Sequence, residues 1–165
     1  MPHQDILHPS PEDIDFRQIA ERLAQIILYN GCGHKPVSAA QHTLILCDAL
    51  LDPAAMPWAL LAETPRAVIG DLDVCALGAL LTRAKELSER GRRIILNEWD
   101  VLKSRHIGAA RLAAGLPEPD ETITRHIFRA GRVAMLTERR DFLSRTPRGW
   151  PKDLDVLSPL PRVYR

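Results

Sequence analysis

Apolar residues in this chain recur at spacings of three and four through almost every periodic segment, and no segment reads as a clear strand, in which they would alternate one by one with polar residues. The first pattern is that of helices with one buried stripe, whereas a half-buried strand needs the second. The chain is therefore expected to be all-α. It should form a single-domain bundle of about six helices over residues 1–145, with a Pro-rich tail, 146–165, packed on or near it. Its 165 residues suit one domain with a real core.

Boundary signals place the helices. The first is expected over 11–29, with Ser10 as N-cap and Pro11 in first position, stopped by the glycines of "NGCG" (30–33). Ser38 and Gln41 form a capping box for a second helix, "HTLILCDALL", apolar nearly all round and so central. A third runs from about Pro53 or Pro57 to Ala62, and "VIGD" (68–71) is a turn. A fourth spans Asp73 to Glu89 and breaks at Gly91, unless "SERGRR" only kinks one longer helix. A fifth, 93–114, shares one face among Ile95, Trp99, Leu102, His106, Ala109 and Ala113, with Gly115 as C-cap. Asp120 caps the last, which runs to about Leu143 with Ile123, Ile127, Ala130 and Ala134 inward. The tail is expected to lie extended on the surface, pinned by Trp150 and Leu160.

Totals exclude several function classes. A net charge of +1 gives no electrostatic case for nucleic acid or an anionic membrane. Three widely spaced cysteines make no disulfide framework, and no C-x-x-C pair marks zinc or redox chemistry. The N-terminus carries acids and no apolar h-region, and no apolar run is long enough to span a bilayer. A cytoplasmic protein is expected.

Single residues with chemical potential each carry an ordinary reading beside the functional one. His42, one turn into a buried helix, suits a metal or a hydrogen bond, but core histidines are commonly satisfied by a carbonyl. Glu63 ends an apolar run and suits a ligand or a base; an ion pair with Arg66, three residues on, is the plainer reading. Asp71, after Gly70, reads first as a helix cap. His34 and Lys35, in "NGCGHK", sit in a Gly-rich loop that matches no phosphate-binding fingerprint. His106 reads as a core or boundary residue. "TERRDF" (137–142) reads as a solvated helix end.

The order of these pieces resembles the HD-domain phosphohydrolases, in the branch related to bacterial 5′-deoxynucleotidases. "FRQIAERLAQIILYNGCGHKPVSAAQHTLIL" follows that branch's entry: a helix, an aromatic-Asn-Gly loop, then "P-Y-S-V-A-x-H-S" opening the next helix. Tyr29, Asn30, Gly31, Pro36, Ser38, Ala40 and His42 fall on it. "LLAETPRAVIGDL" falls on the line "L-L-H-D-A-x-E-A-Y-I-G-D-I", and "GLPEP" and "RVAMLTERRDFL" fall on the last two landmarks. The resemblance covers residues 16–145 in order.

This resemblance implies one divalent metal, held by a His where His42 stands, by a His-Asp doublet and by an Asp on the last helix. The metal would activate a water against a phosphate ester, with a Glu assisting. Here the doublet falls on Ala62 and Glu63, the assisting Glu on Arg66 and the last Asp on Gly131. His42 and Asp71 are kept, and an Arg that would serve a phosphate is Leu28. His126 lies five residues before Gly131, out of phase with it.

The leading expectation is thus a protein that has lost metal-dependent phosphomonoesterase activity, with no cofactor. His34, Lys35, His42 and Arg66 would serve a phosphorylated ligand or nucleotide. The alternative is an active phosphohydrolase that binds a divalent metal through His42 and Glu63 and uses Glu63 and Asp71. A third reading is an interaction module or homodimer using helix 93–114, Trp99 and Trp150.

Overall fold

The computed structural model describes residues 5–72, 74–143 and 156–164. Within them the protein is all-helical, without a strand or sheet. Seven α-helices occur among the described residues: α1 (Phe16–Gln25), α2 (Ala39–Asp48), α3 (Met56–Leu61), α4 (Thr64–Ile69), α5 (Val74–Leu87), α6 (Glu89–Ala113) and α7 (Glu121–Asp141). None of them is long and apolar enough to cross a membrane.

The first helix is shorter than the periodicity predicts. Pro11–Asp13 form only a single 3₁₀ turn, and the true cap is Asp15. Its carboxylate accepts from the backbone N–H of Arg17 at 2.9 Å and of Gln18 at 3.1 Å. A charged oxygen two and three residues ahead of those orphan donors satisfies them, whereas the Ser10 side chain makes no cap bond. The helix stops at Gln25 because the next residues pair with the entry to α2. Leu28 N–H donates to Val37 C=O and Ala39 N–H to Ile26 C=O, both at 2.9 Å. These β-branched and apolar residues are better served by that short extended pairing.

The expected capping box opens α2: Ser38 Oγ accepts from Gln41 N–H, and Gln41 Oε1 from Ser38 N–H. This helix is central, buried through Ala39, Ile45 and Leu46 against α1, α3 and α7. Val133, Ala134 and Phe142 close the core from the α7 side.

Two boundaries differ from the sequence reading. The chain leaves α3 at Ala62, as expected, but soon returns to helix. After a turn at Ala62 and Glu63 it re-enters α4, and Pro65 sits in the first turn, where its missing N–H has no helical partner to lose. The expected "VIGD" turn shrinks to Gly70 and Asp71, with Gly70 at φ 81°. The break between α5 and α6 falls at Ser88, not Gly91. Ser88 Oγ accepts from Gly91 N–H at 2.9 Å. A Cβ at 91 would stand 3.0 Å from that oxygen, so the glycine leaves room for the cap, while the 3.6 Å to Ala84 C=O would be an ordinary contact.

Asp120 caps α7 through Ile123 N–H, and Gly115, at φ 67°, ends α6, both as expected. His106 is fully buried on α6, where its Nε2–H donates to Ile6 C=O at 3.0 Å. Residues 156–164 of the tail lie across α2 and α7. Arg140 donates to the carbonyls of Leu160 and Arg162, Asp141 accepts from Tyr164 N–H, and Tyr164 O–H donates to Asp48. Leu160 packs on the core as predicted; Trp150 lies outside the described residues.

Candidate functional site

The central contact is between α2 and α7. His42 and Glu138 face each other there, and His42 Nδ1 lies 2.7 Å from Glu138 Oε1. Glu138 is wholly buried, and its second oxygen accepts from Tyr29 O–H at 2.5 Å. Tyr29 reaches it from the loop after α1, where it adopts φ 57°, followed by Asn30 at 51° and Gly31 at 69°. A bulky residue in left-handed backbone costs free energy, and the bond to Glu138 anchors it there.

On the other side of the ring, His42 Nε2 stands 3.6 Å from Glu63 Oε1, an ion-pair distance. Glu63 Oε2 is bonded by Arg66 Nη1, and Arg66 Nε donates to Asp71 Oδ1 at 2.8 Å. Gly70 makes this last contact available by turning the chain back on α4. The result is one run of alternating charge: Glu138, His42, Glu63, Arg66, Asp71.

Burial alone would push His42 toward its neutral form, but Glu138, aided by Glu63, outweighs it and raises the ring's pKa above the ordinary imidazole value. Burial likewise disfavours the Arg66 charge, and Glu63 and Asp71 more than restore it. The Tyr29 phenol is pushed well above its ordinary range by burial and by Glu138, so it stays a neutral donor.

A pH dependence follows. Unfolded imidazole titrates near ~6.5, and folded His42 titrates higher. Its contribution to stability is therefore full below that value and is lost as pH rises through the folded pKa. His106 has the opposite sign: burial lowers its pKa, so its contribution is lost as pH falls below ~6.5. Denaturant midpoints should decline on the alkaline side of ~6.5 in the wild type, and that decline should shrink in His42→Gln. An unchanged alkaline limb in the variant would refute the assignment.

His42, Glu63, Arg66 and Asp71 all line one cavity of about 660 Å³, between the α2–α4 elements and the α5, α6 and α7 helices. Its size is ordinary for a small-molecule site. Much of the wall is apolar, including Leu28, Leu46, Trp99 and Phe128, with Lys103 and Arg132 among its cations. Arg132 stacks over Phe128 at 5.6 Å, and Lys103 pairs with Asp100 at 2.8 Å. Ala62 and Gly131 line the same space.

The structure thus brings four of the sequence-derived site residues together and leaves two out. His34 and Lys35 are exposed, on a loop that pairs with the end of α7 through His34 N–H to Phe142 C=O, and they do not line the cavity. His126 does not line it either. Asp71, read first as a cap, is instead a partner of Arg66. The Glu63–Arg66 pair is present, but Glu63 is nearly enclosed, its side chain 13% exposed.

Glu138 and Tyr29 are the functional groups that sequence reasoning missed. "TERRDF" is not a solvated end: Thr137, Glu138 and Asp141 are buried. The signal lay in helical phase, since Glu138 continues the inward stripe of Ile127, Ala130 and Ala134.

This donor set does not fit a dication. His42 Nδ1 is engaged by Glu138, its Nε2 faces Glu63, and Glu63 and Asp71 are already bridged by a guanidinium. Among the described residues no three His, Cys, Asp or Glu side chains gather as a metal site. The fold and site define an all-α protein with a buried acid–imidazole–guanidinium network in the wall of a cavity. No known family model matches the chain, and no curated protein matches it.

Proposed function

We propose that this protein is a non-catalytic member of the HD-domain phosphohydrolase type, which binds a small phosphorylated ligand such as a nucleotide in its 660 Å³ cavity. The observation that carries the reading is Arg66, bonded to both Glu63 and Asp71. A side-chain cation stands between the carboxylates that a metal would otherwise draw in.

Kinship is supported by placement. His42, Ala62, Glu63, Arg66 and Gly131, more than eighty residues apart at the extremes, line one cavity. These are the positions at which the resemblance implies ligands and the assisting acid. For the ligand, Trp99 and Phe128 offer flat apolar contact to a planar ring, and Arg132 and Lys103 offer charge for an anion. Cys32 and Cys47 are free thiols, which suits a reducing compartment, and we place the protein in the cytoplasm.

Titration calorimetry with mononucleotides and with inorganic phosphate, beside metal analysis of the purified protein, tests this reading. Binding of a mononucleotide by metal-free protein, weakened by Trp99→Ala, is the expected result. No heat and no thermal shift with any mononucleotide would end the binding proposal. Stoichiometric metal together with phosphomonoesterase activity that disappears in His42→Ala would replace it with a working hydrolase based on His42, Glu63 and Asp71.

A further inference from the structure

Helix α5 is too poorly covered to be stable on its own account. It packs chiefly against α6, and of its described side chains only Ala84 is buried. A helix of this length is marginal in water without an apolar face packed on something. Yet Leu80 is 47% exposed, Leu87 73% and, across the hairpin on α6, Ile94 49%.

These three residues share a side. On α5, Leu80 and Leu87 lie in nearly the same helical phase, just to one flank of the stripe through Ala84 that meets α6. Because α6 runs back antiparallel, Ile94 falls on that same flank. The opposite flank carries Leu77, Trp99 and Lys103, which line the cavity. The hairpin therefore has one face toward the cavity and one apolar face turned away from the body.

The charges around Ile94 say what covers that face. Arg90 lies four residues before Ile94 and Glu98 four residues after it, and both are exposed. Arg90 has no acidic partner among the described residues, and Glu98 accepts only from its neighbour Asn97. When two α6 helices cross antiparallel at Ile94, each Arg90 meets the other chain's Glu98. A surface that is apolar at its centre, basic on one side and acidic at the matching distance on the other is complementary to itself, as a two-fold interface requires.

We propose that a second copy of this chain docks here, forming a two-fold dimer in which the two α5–α6 hairpins make a four-helix bundle centred on Ile94. Leu80 and Leu87 of each copy flank the centre, and Arg90–Glu98 pairs close both sides. This surface is independent of the cavity and of any ligand in it.

Sedimentation or light scattering over a wide concentration series, with circular dichroism to check folding, tests the proposal. Wild type should be a dimer. Ile94→Glu should be a folded monomer, since the side chain is half exposed within one copy. Arg90→Glu and Glu98→Arg should each weaken the dimer by roughly tenfold or more through paired like charges, and the double swap Arg90→Glu/Glu98→Arg should restore it. A wild type that stays monomeric, a dimer untouched by Ile94→Glu, or a double swap no better than the single variants would each overturn the proposal.

Discussion

Glu138→Ala is expected to lower stability by about 3–5 kcal/mol, the usual cost of removing one partner from a buried ion pair. In a chain of this length each kcal/mol moves Tm by about 2–4 °C, so a fall of roughly 6–20 °C is expected. The reasons are structural. Glu138 is wholly buried and both of its oxygens are engaged, one by His42 and one by Tyr29. Without it the phenol loses its acceptor, the ring loses its principal counter-charge, and the left-handed turn at Tyr29 and Asn30 loses its anchor. Glu138→Gln keeps the shape but places an NH₂ where one acceptor stood, so it should fall between Ala and wild type. Thermal and denaturant unfolding measure all three. An Ala variant within about 0.5 kcal/mol of wild type, the range of ordinary surface substitutions, would show that the network is not structural.

The second large effect is a gain. Ala62→His, Glu63→Asp, Arg66→Glu and Gly131→Asp, made together, should let the cavity take up roughly one equivalent of a divalent transition metal beside His42. All five residues line the same space. A Cβ at 131 would meet Leu46 Cδ1 at 3.7 Å, an ordinary contact, so an aspartate can enter there. Arg66 has to go with the others: at ~4 Å and an effective dielectric near 20, each pair of like unit charges repels by ~4 kcal/mol. Elemental analysis after dialysis reads the result directly. A folded variant that holds no metal would count against the proposed kinship, whereas metal in the wild type would count against the proposed role of Arg66.

How much of this was legible in the chain depends on the range of the interaction. Ser38, Gly115 and Asp120 mark helix ends through neighbours within four residues, and the structure agrees at each. The break was placed at Gly91 because a glycine is usually a breaker; the bond from Gly91 N–H to Ser88 Oγ shows that it lies in the first turn of α6 instead. The restart as α4 was not read from the sequence, because Pro65 marks a first turn only once a helix is known to begin there. In the site, Glu63 and Arg66 are local and their pairing was readable from spacing, whereas Asp71 read as a cap because only the turn at Gly70 brings it back on to Arg66. The acid that governs His42 lies 96 residues away and the tyrosine that shares it a further step, 109 residues from that acid. Neither distance leaves a trace in local pattern, except that Glu138 keeps phase with its helix.

The clasp of the tail on α7 bears on the order in which the protein is made. Thr137 accepts from Leu160 N–H, and Arg140 and Asp141 hold the backbone on to Tyr164, so residues 156–164 embrace the turn that carries Glu138. During synthesis those residues emerge from the ribosome after α1 to α7 have already appeared. Until residues 156–164 emerge, the bonds that Thr137, Arg140 and Asp141 make to them are absent, so this clasp on α7 closes late in biogenesis.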